Sequence, residues 1–271
     1  MPEGDTIHRS ANRLAAAITG EAVQRVATPR RAGAVPRRGA TVERVWAEGK
    51  YLMISFDDGL VLETHMKMNG SWHLYRPGER WRRSARAVVA RIDTEPWVAV
   101  CFSAPHVEVR RGDRPARGVR GGGGRLRAEL GPDLTVADPN IDAALARLAG
   151  ADQGRTMADV LLDQRLFCGV GNVFKSEVLA ACGIHPDRAL GTVDGADRRR
   201  LLTTANTQLM ANVGGGPRTT VPGGLAVYGR GGQPCRRCQR PIEAGRRGQG
   251  AGRPTYWCPR CQPQTGIGPT A

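Results

Sequence analysis

Pro2 and Glu3 are the residues of this chain best suited to covalent chemistry. Once Met1 is removed, the α-amine of Pro2 is a secondary amine that can attack the aldehyde carbon of a sugar. The resulting iminium has no N–H to lose, so it stays cationic and acidifies the neighbouring C–H. Amine catalysis of this kind divides one difficult step into easier ones. Glu3 places a carboxylate beside the amine, but the pair alone is weak evidence, because most prolines that follow an initiator are merely solvated.

Four of the seven cysteines form two Cys-x-x-Cys pairs near the C-terminus, separated by 19 residues. This spacing is typical of a structural zinc site with four thiolate ligands: Cys235, Cys238, Cys258 and Cys261. Disulfides or redox motifs are the alternative, but the odd cysteine total and the lack of a signal peptide favour zinc. The other three, Cys101, Cys168 and Cys182, lie among apolar residues and are predicted to be core side chains.

The charge balance indicates a polyanionic partner. Lysine and arginine total 40 against 25 acidic residues, which gives a net charge of +15. From Arg230 onward there are eight arginines and one acidic residue, Glu243, so the excess is concentrated around the cysteines. Nucleic acid is the natural partner. No apolar run approaches the ~20 residues of a membrane span, so we expect no membrane contact and a soluble protein in the cytoplasm, associated with the nucleoid.

Hydrophobic periodicity predicts a leading helix followed by a β-rich body. Asp5 can cap a helix with an apolar stripe that ends at Gly20. Seven short strands are then predicted, at 23–26, 41–46, 51–56, 60–64, 71–75, 87–92 and 98–102. The stretch 112–125, with four consecutive glycines, has no apolar periodicity and is predicted to be a loop or linker.

The second half of the chain has a helical pattern. Helices are predicted at 141–148 after Asn140, from a Thr156-x-x-Asp159 capping box, at 173–182 and at 197–213. A Gly-rich turn at 168–172 precedes the third of these helices. The unpaired N–H groups at that helix N-terminus could bind an anion such as phosphate, and an ordinary connection between helices is the alternative.

Five segments, in this order, carry a family resemblance: Met1-Pro2-Glu3-Gly4; Glu48-Gly49-Lys50-Tyr51-Leu52; Thr64-His65-Met66-Lys67-Met68-Asn69-Gly70-Ser71; Leu162-Asp163-Gln164 leading to Gly169-Val170-Gly171-Asn172; and Val227-Tyr228-Gly229-Arg230 before the cysteines. Together they resemble the formamidopyrimidine-DNA glycosylase and endonuclease VIII family over nearly the whole chain.

The resemblance implies an α+β fold with an N-terminal β-sandwich and leading helix, a helical domain with a helix–two-turns–helix motif, and a zinc-finger β-hairpin. We expect the sandwich at 1–111, a linker at 112–130, the helical domain at 131–224, the finger at 225–264 and a tail at 265–271.

The resemblance also implies the activity, which is that of a bifunctional DNA glycosylase and abasic-site lyase of base excision repair. Pro2 would be the nucleophile at C1′, and Glu3 the acid that helps open the deoxyribose. Lys50 would assist catalysis and hold a phosphate, unless it is simply an exposed strand lysine. Base loss would be followed by β- and δ-elimination.

Four further residues are implied to contact damaged DNA. Asn172 and Arg253 match phosphate-binding residues of the family, and His65 matches a histidine near the DNA backbone. Met68 matches the residue that intercalates where the lesion is flipped out, with a buried core methionine as the alternative. We expect a monomer that holds one structural zinc ion.

Lesion preference depends on departures within the family. Gly4 and the short Gly-rich connection 214–224 favour the endonuclease VIII branch and oxidised pyrimidines, whereas Asp5-Thr6 stands where the family usually has Pro-Glu. A purine-directed glycosylase of the same family, active on formamidopyrimidine and 8-oxoguanine, stays open. So does a catalytically idle DNA-binding homologue.

Overall fold

The structure is a computed structural model that describes residues 2–29, 32–112, 129–247 and 252–264. The chain divides into two compact units. The N-terminal unit comprises residues 1–2 and 6–129, and the C-terminal unit comprises residues 3–5 and 130–271. Met1, the predicted tail 265–271 and most of the predicted linker 112–130 lie outside the described residues.

The N-terminal unit is a β-sandwich preceded by a helix. Its elements are α1 (Gly4–Ile18), β1 (Arg25–Ala27), β2 (Val42–Glu48), β3 (Tyr51–Phe56), β4 (Leu60–His65), β5 (Ser71–Tyr75), β6 (Val88–Asp93), β7 (Val98–Phe102) and β8 (His106–Arg111). The strands form two four-stranded antiparallel sheets, in the orders β1-β6-β7-β5 and β2-β3-β4-β8. Ile54 of one sheet and Ile92 of the other lie in one hydrophobic core with Leu14 of α1. The predicted fold class is confirmed here.

Helix α1 follows the predicted apolar stripe. Ile7, Ala11, Leu14 and Ile18 are all buried, as expected for residues that recur on one helix face. The predicted cap is wrong, because α1 begins at Gly4 and Asp5 lies inside its first turn. The Asp5 carboxylate binds the guanidinium of Arg218 instead.

Strand β8 has no counterpart among the predicted strands. Its sequence, His-Val-Glu-Val-Arg-Arg, carries too many polar residues to give an apolar pattern. The strand forms by pairing with β4, in a register that places Glu108 opposite Glu63 and His106 opposite His65. Tertiary pairing therefore overrides weak local preference at this sheet edge.

The described residues of the C-terminal unit form four α-helices and a β-hairpin. Its elements are α2 (Ile141–Ala149), α3 (Met157–Val160), α4 (Asn172–Cys182), α5 (Gly195–Ala211), β9 (Glu243–Arg247) and β10 (Arg253–Trp257), with β9 and β10 antiparallel. The helices share a core that includes Leu148, Phe174 and Leu202.

Local capping explains most of the helix boundaries in this unit. The Asn140 side chain accepts from the Ala143 N–H, and the Thr156 hydroxyl accepts from the Asp159 N–H, as predicted. Helix α5 begins two residues before its predicted start, because Asp194 is the residue that caps it. Within the part of the chain that the structure describes, no helix is both long and apolar enough to cross a membrane.

Candidate active site and metal centre

The Glu3 carboxylate lies at the N-terminus of α4 in the C-terminal unit. Its Oε1 accepts a hydrogen bond from the Val173 N–H at 2.7 Å, and its Oε2 accepts from Gly171 at 3.1 Å and Phe174 at 3.2 Å. Glu3 is 1% exposed. A helix N-terminus favours negative charge because its first N–H groups lack helical partners. The anion on these three N–H groups is therefore the chain's own carboxylate rather than the phosphate that the Gly-rich turn allowed.

Two glycines allow residues 3–5 to approach the turn before α4. A Cβ on Gly171 would clash with the Glu3 side chain, and Gly169 has a φ of +103°, which side chains disfavour. The Gly4 N–H donates to the Gly169 carbonyl oxygen at 2.8 Å. The residues that follow Pro2 are thus fixed by both backbone and side-chain bonds.

Asp5 and Arg218 form a second anchor in the same unit. The Asp5 side chain is fully buried and accepts two hydrogen bonds from Arg218, at 2.6 Å from Nε and 2.7 Å from Nη2. The guanidinium also lies 5.5 Å from the centre of the Phe174 ring. Sequence reasoning missed Arg218, although it is the one charged residue in the connection 214–224.

A buried lysine connects the two elements that carry Asn172 and Arg253, two of the predicted DNA-binding residues. Lys175 Nζ donates to Asn172 Oδ1 at 2.8 Å, and on β10 to Thr255 Oγ1 at 2.7 Å and to the Pro254 carbonyl oxygen at 3.2 Å. Burial lowers the pKa of Lys175 to about 8, against the opposing effect of Glu3. Arg253 is exposed at the start of β10. Asn172 and Arg253 therefore lie on elements that Lys175 connects.

Glu177 holds the segment before the cysteines. Its buried carboxylate accepts from the N–H groups of Ala226, Val227 and Tyr228 at 2.7–2.9 Å, and from the Thr220 hydroxyl. Neither Lys175 nor Glu177 was predicted. The available signal was the run of polar residues at 175–177 within an otherwise apolar helix.

Lys50 and His65 lie in one cluster of the N-terminal unit. The His65 ring packs edge-on against Tyr51, 4.6 Å between centroids, and its Nδ1 accepts from the Lys67 N–H at 3.2 Å. Burial lowers the pKa of His65 to about 4, with Lys50 the next contributor. The ring is therefore neutral at pH 7, and its remaining nitrogen, Nε2, carries the proton.

Met68 lies in the turn between β4 and β5 and is 55% exposed. The alternative of a buried core methionine is therefore excluded. An exposed methionine in a turn offers an apolar side chain that can enter another surface.

A polar network borders Tyr51 in the N-terminal unit. His106 Nε2 lies 3.3 Å from Glu63 Oε1 and 3.7 Å from Glu108 Oε2, and Arg110 Nη2 lies 3.7 Å from Glu63 Oε2. Burial raises the pKa of Tyr51 to about 12, and the Glu63 charge adds to that effect. The three potential metal ligands Glu63, His106 and Glu108 thus share their site with a guanidinium, which favours an ion-pair network.

The four predicted cysteines converge at the base of the β9–β10 hairpin. Their sulfur atoms all lie within 4.8 Å of one another, with 3.9 Å between Cys235 and Cys261 and 3.4 Å between Cys238 and Cys258. Tetrahedral bonds of about 2.3 Å to a central zinc would place the sulfurs about 3.8 Å apart. This arrangement can hold one metal ion with four thiolates.

Comparison with known proteins identifies the family. The family model of the formamidopyrimidine-DNA glycosylase N-terminal domain matches residues 1–108, and that of the formamidopyrimidine-DNA glycosylase H2TH domain matches residues 130–221. The chain belongs to the formamidopyrimidine-DNA glycosylase and endonuclease VIII family. Members of this family are DNA repair enzymes with glycosylase and lyase activities.

Several relatives match this chain over nearly their full length. A probable endonuclease 8 2 of Streptomyces coelicolor is 36% identical, across 97% of this chain and 94% of the relative. The DNA-(apurinic or apyrimidinic site) lyase Nei2 of Mycolicibacterium smegmatis is 37% identical, across 97% and 99%. A formamidopyrimidine-DNA glycosylase of Heliobacterium modesticaldum is 32% identical, across 97% and 99%.

Solved structures share the fold. The Lactococcus lactis Fpg in complex with DNA containing an abasic site matches with a TM-score of 0.79 and 22% identity, across 96% of this chain and 99% of that one. MutM in complex with DNA containing carbocyclic 8-oxo-G matches with a TM-score of 0.78 and 21% identity, across 97% and 100%.

Proposed function

We propose that this protein excises oxidised bases from DNA through a Schiff base on Pro2 and then cleaves the strand by β,δ-elimination. The observation that carries the proposal is the anchoring of Glu3 by three N–H groups of α4. A buried carboxylate with this many fixed donors has one orientation. In a member of a glycosylase family, this anchoring fixes Glu3 directly beside Pro2, whose amine would attack the sugar.

The reaction begins at the Pro2 nitrogen. Its lone pair forms a bond to C1′ of the damaged nucleotide as the C1′–N bond to the base breaks, and the base leaves with a proton. An α-amine has a pKa near 8, so roughly a tenth is unprotonated at pH 7, and a cation such as Lys50 placed beside it would increase this fraction. Glu3 takes the proton that the Pro2 nitrogen releases after bonding to C1′ and passes it to the ring oxygen O4′, so that the C1′–O4′ bond breaks and the iminium forms. Loss of a C2′ proton then expels the 3′ phosphate, and a second elimination expels the 5′ phosphate.

Four residues are proposed to contact DNA phosphates. They are Asn172 and Arg253 of the C-terminal unit and Lys50 and His65 of the N-terminal unit. Phosphate contacts fix the position of a protein along the duplex but do not read the base sequence. Met68 is proposed to fill the space left by the flipped nucleotide, and its exposure supports this role.

The metal is proposed to be zinc with a structural role. Four thiolates complete a tetrahedral shell and leave no open position for catalysis. The cysteines would fix the ends of the β9–β10 hairpin and hence the position of Arg253 on β10.

Oxidised pyrimidines are the proposed lesion class. This chain is 36% and 37% identical in sequence to the endonuclease 8 2 and Nei2 relatives, and 32% identical to the formamidopyrimidine-DNA glycosylase relative. Purine lesions are the second candidate because all the proposed catalytic residues would serve both lesion classes.

We also propose that the protein is a monomer, which light scattering with and without DNA would check.

The test is a panel of duplexes that each carry one lesion: an abasic site, thymine glycol, 5-hydroxycytosine, 8-oxoguanine or formamidopyrimidine. We expect incision at the abasic site and at the oxidised pyrimidines, with phosphates at both ends of the gap. Faster incision at the purine lesions would reassign the base preference. Tight binding with no incision on any duplex would favour the catalytically idle homologue.

A further inference from the structure

Lys175 can fix the orientation of the side-chain amide of Asn172, which is predicted to bind a DNA phosphate. A lysine ammonium has three donors and no acceptor, whereas an asparagine amide has one oxygen and one NH₂. Lys175 Nζ lies 2.8 Å from Asn172 Oδ1, and Asn172 is 3% exposed. The amide oxygen is therefore fixed toward Lys175, and the NH₂ group is directed away from it.

The opposite side of the Asn172 amide has a weaker partner. Its Nδ2 lies 3.5 Å from the Tyr228 hydroxyl, at the limit of a hydrogen bond. A phosphate oxygen is an acceptor only, so it needs the NH₂ side of the amide. An amide turned the other way would present an oxygen to the phosphate and repel it.

The same ammonium fixes the strand that carries Arg253. Lys175 donates to Thr255 Oγ1 and to the Pro254 carbonyl oxygen, and both residues immediately follow Arg253 on β10. The adjacent Ser176 hydroxyl accepts from the Tyr256 N–H at 3.3 Å. Lys175 is fully buried, and its ammonium donates one hydrogen bond within α4 and two to β10.

We propose that Lys175 is a positioning residue that aligns Asn172 and Arg253 as one phosphate-binding pair. The inference rests on the proposed function, since it concerns how this site holds DNA. Lys175 would not touch the nucleic acid. Its ammonium would act by directing the Asn172 NH₂ outward and by holding β10 beside it.

The charge of Lys175 makes the alignment sensitive to pH. Burial lowers its pKa to about 8, and the charges that act on it are Glu3, Asp159, Arg247 and Arg253, with the titratable Tyr228 beyond Asn172. Above that pH the neutral amine can also accept a hydrogen bond, so it no longer selects one amide orientation. The Asn172 contribution to DNA affinity should therefore decline between pH 7 and 9.

The test is a double-mutant cycle on the full-length protein, read by binding to a duplex with a tetrahydrofuran abasic-site analogue. Lys175→Met should weaken binding about 5- to 10-fold, like Asn172→Ala, which corresponds to roughly one hydrogen bond. In the Asn172→Ala background the same change should cost only about 2- to 3-fold, because its effect on Arg253 through the β10 contacts remains. Lys175→Gln, which can still donate to the amide oxygen, should recover part of the loss. A merely structural lysine would weaken binding equally in both backgrounds, and that result would overturn the proposal.

A pH series avoids the risk that a buried substitution prevents folding. The affinity ratio of wild type to Asn172→Ala should fall between pH 7 and 9, and a constant ratio would overturn the proposal. Incision of an abasic duplex by wild type is assayed in parallel. Normal binding and incision without the predicted coupling would reject the Lys175 role alone, whereas an absence of incision would reject the proposed function.

Discussion

Glu3 Oε1 accepts a hydrogen bond from the Val173 N–H at 2.7 Å, across 170 residues of sequence. A side chain next to the proposed nucleophile is thus part of the cap of α4. Catalytic placement and helix stability depend on one carboxylate.

We predict that Glu3→Gln abolishes base excision and also lowers stability by about 2 kcal/mol, because the amide presents an NH₂ to backbone donors. Excision is measured on an oxidised-pyrimidine duplex and stability by urea unfolding. The matched control is Glu177→Gln, since Glu177 also accepts three backbone N–H bonds in the same unit. It should lose similar stability but retain excision by the folded protein. Excision at the wild-type rate by Glu3→Gln would show that the acid role is wrong.

Asp5 and Arg218 should behave as one energetic unit. The Asp5 side chain is fully buried, so removing either partner leaves an uncompensated charge, at a cost of roughly 3–5 kcal/mol. Asp5→Asn and Arg218→Ala are therefore each expected to lower the free energy of unfolding strongly, and the double variant much less than their sum. Urea denaturation of the four proteins measures this. Additive losses would mean that the pair does not form in solution.

His65 should contribute to acid sensitivity. Its folded pKa of about 4 lies below the ordinary 6.5, so the unfolded chain binds more protons between these values. Stability should consequently rise with pH from about 4 to 6.5 and be unaffected by His65 above that range. His65→Gln should flatten this part of the stability profile, measured by urea unfolding at several pH values. An unchanged slope would contradict the assigned pKa.

The metal and the Arg253 contact can be separated by two variants. Cys258→Ser should release the metal and disorder the hairpin, because it removes one of four converging thiolates. Arg253→Ala should keep the metal but reduce the log–log salt slope of duplex binding by about one, as expected for one lost phosphate contact. Elemental analysis and a salt titration measure the two effects. Full activity without metal would overturn the zinc proposal, and an unchanged salt slope would remove Arg253 from the DNA contacts.

Local patterns in the sequence were sufficient for much of the fold. The stripe from Ile7 to Ile18 gave α1, and the caps Asn140 and Thr156 gave the starts of two helices, because these signals involve residues only a few positions apart. The cysteine spacing likewise predicted a cluster whose members converge. Strand β8 was missed because its stability depends on β4 rather than on its own composition.

The chemistry of the site depended more on contacts between distant segments. For the three N–H groups that bind Glu3, the sequence allowed either a phosphate or an ordinary connection between helices, because a helix N-terminus favours any anion and the sequence does not show which one arrives. Lys175 contacts residues 79 and 80 positions away, and Glu177 contacts residues 43 to 51 positions away. Contacts between such distant residues give only a weak signal in a single sequence, which here is a run of polar residues within an otherwise apolar helix.

The identity of the nucleophile is the central claim, and borohydride trapping on an abasic-site duplex tests it most directly. The N-terminus is first verified by mass spectrometry, and the trapped peptide is then mapped. We predict a covalent complex at the Pro2 nitrogen when Met1 is absent, and no complex for a protein with an uncleavable N-terminal extension, whose proline nitrogen is a tertiary amide. Equal trapping of the extended protein, or a cross-link that maps to a lysine, would contradict the proline mechanism.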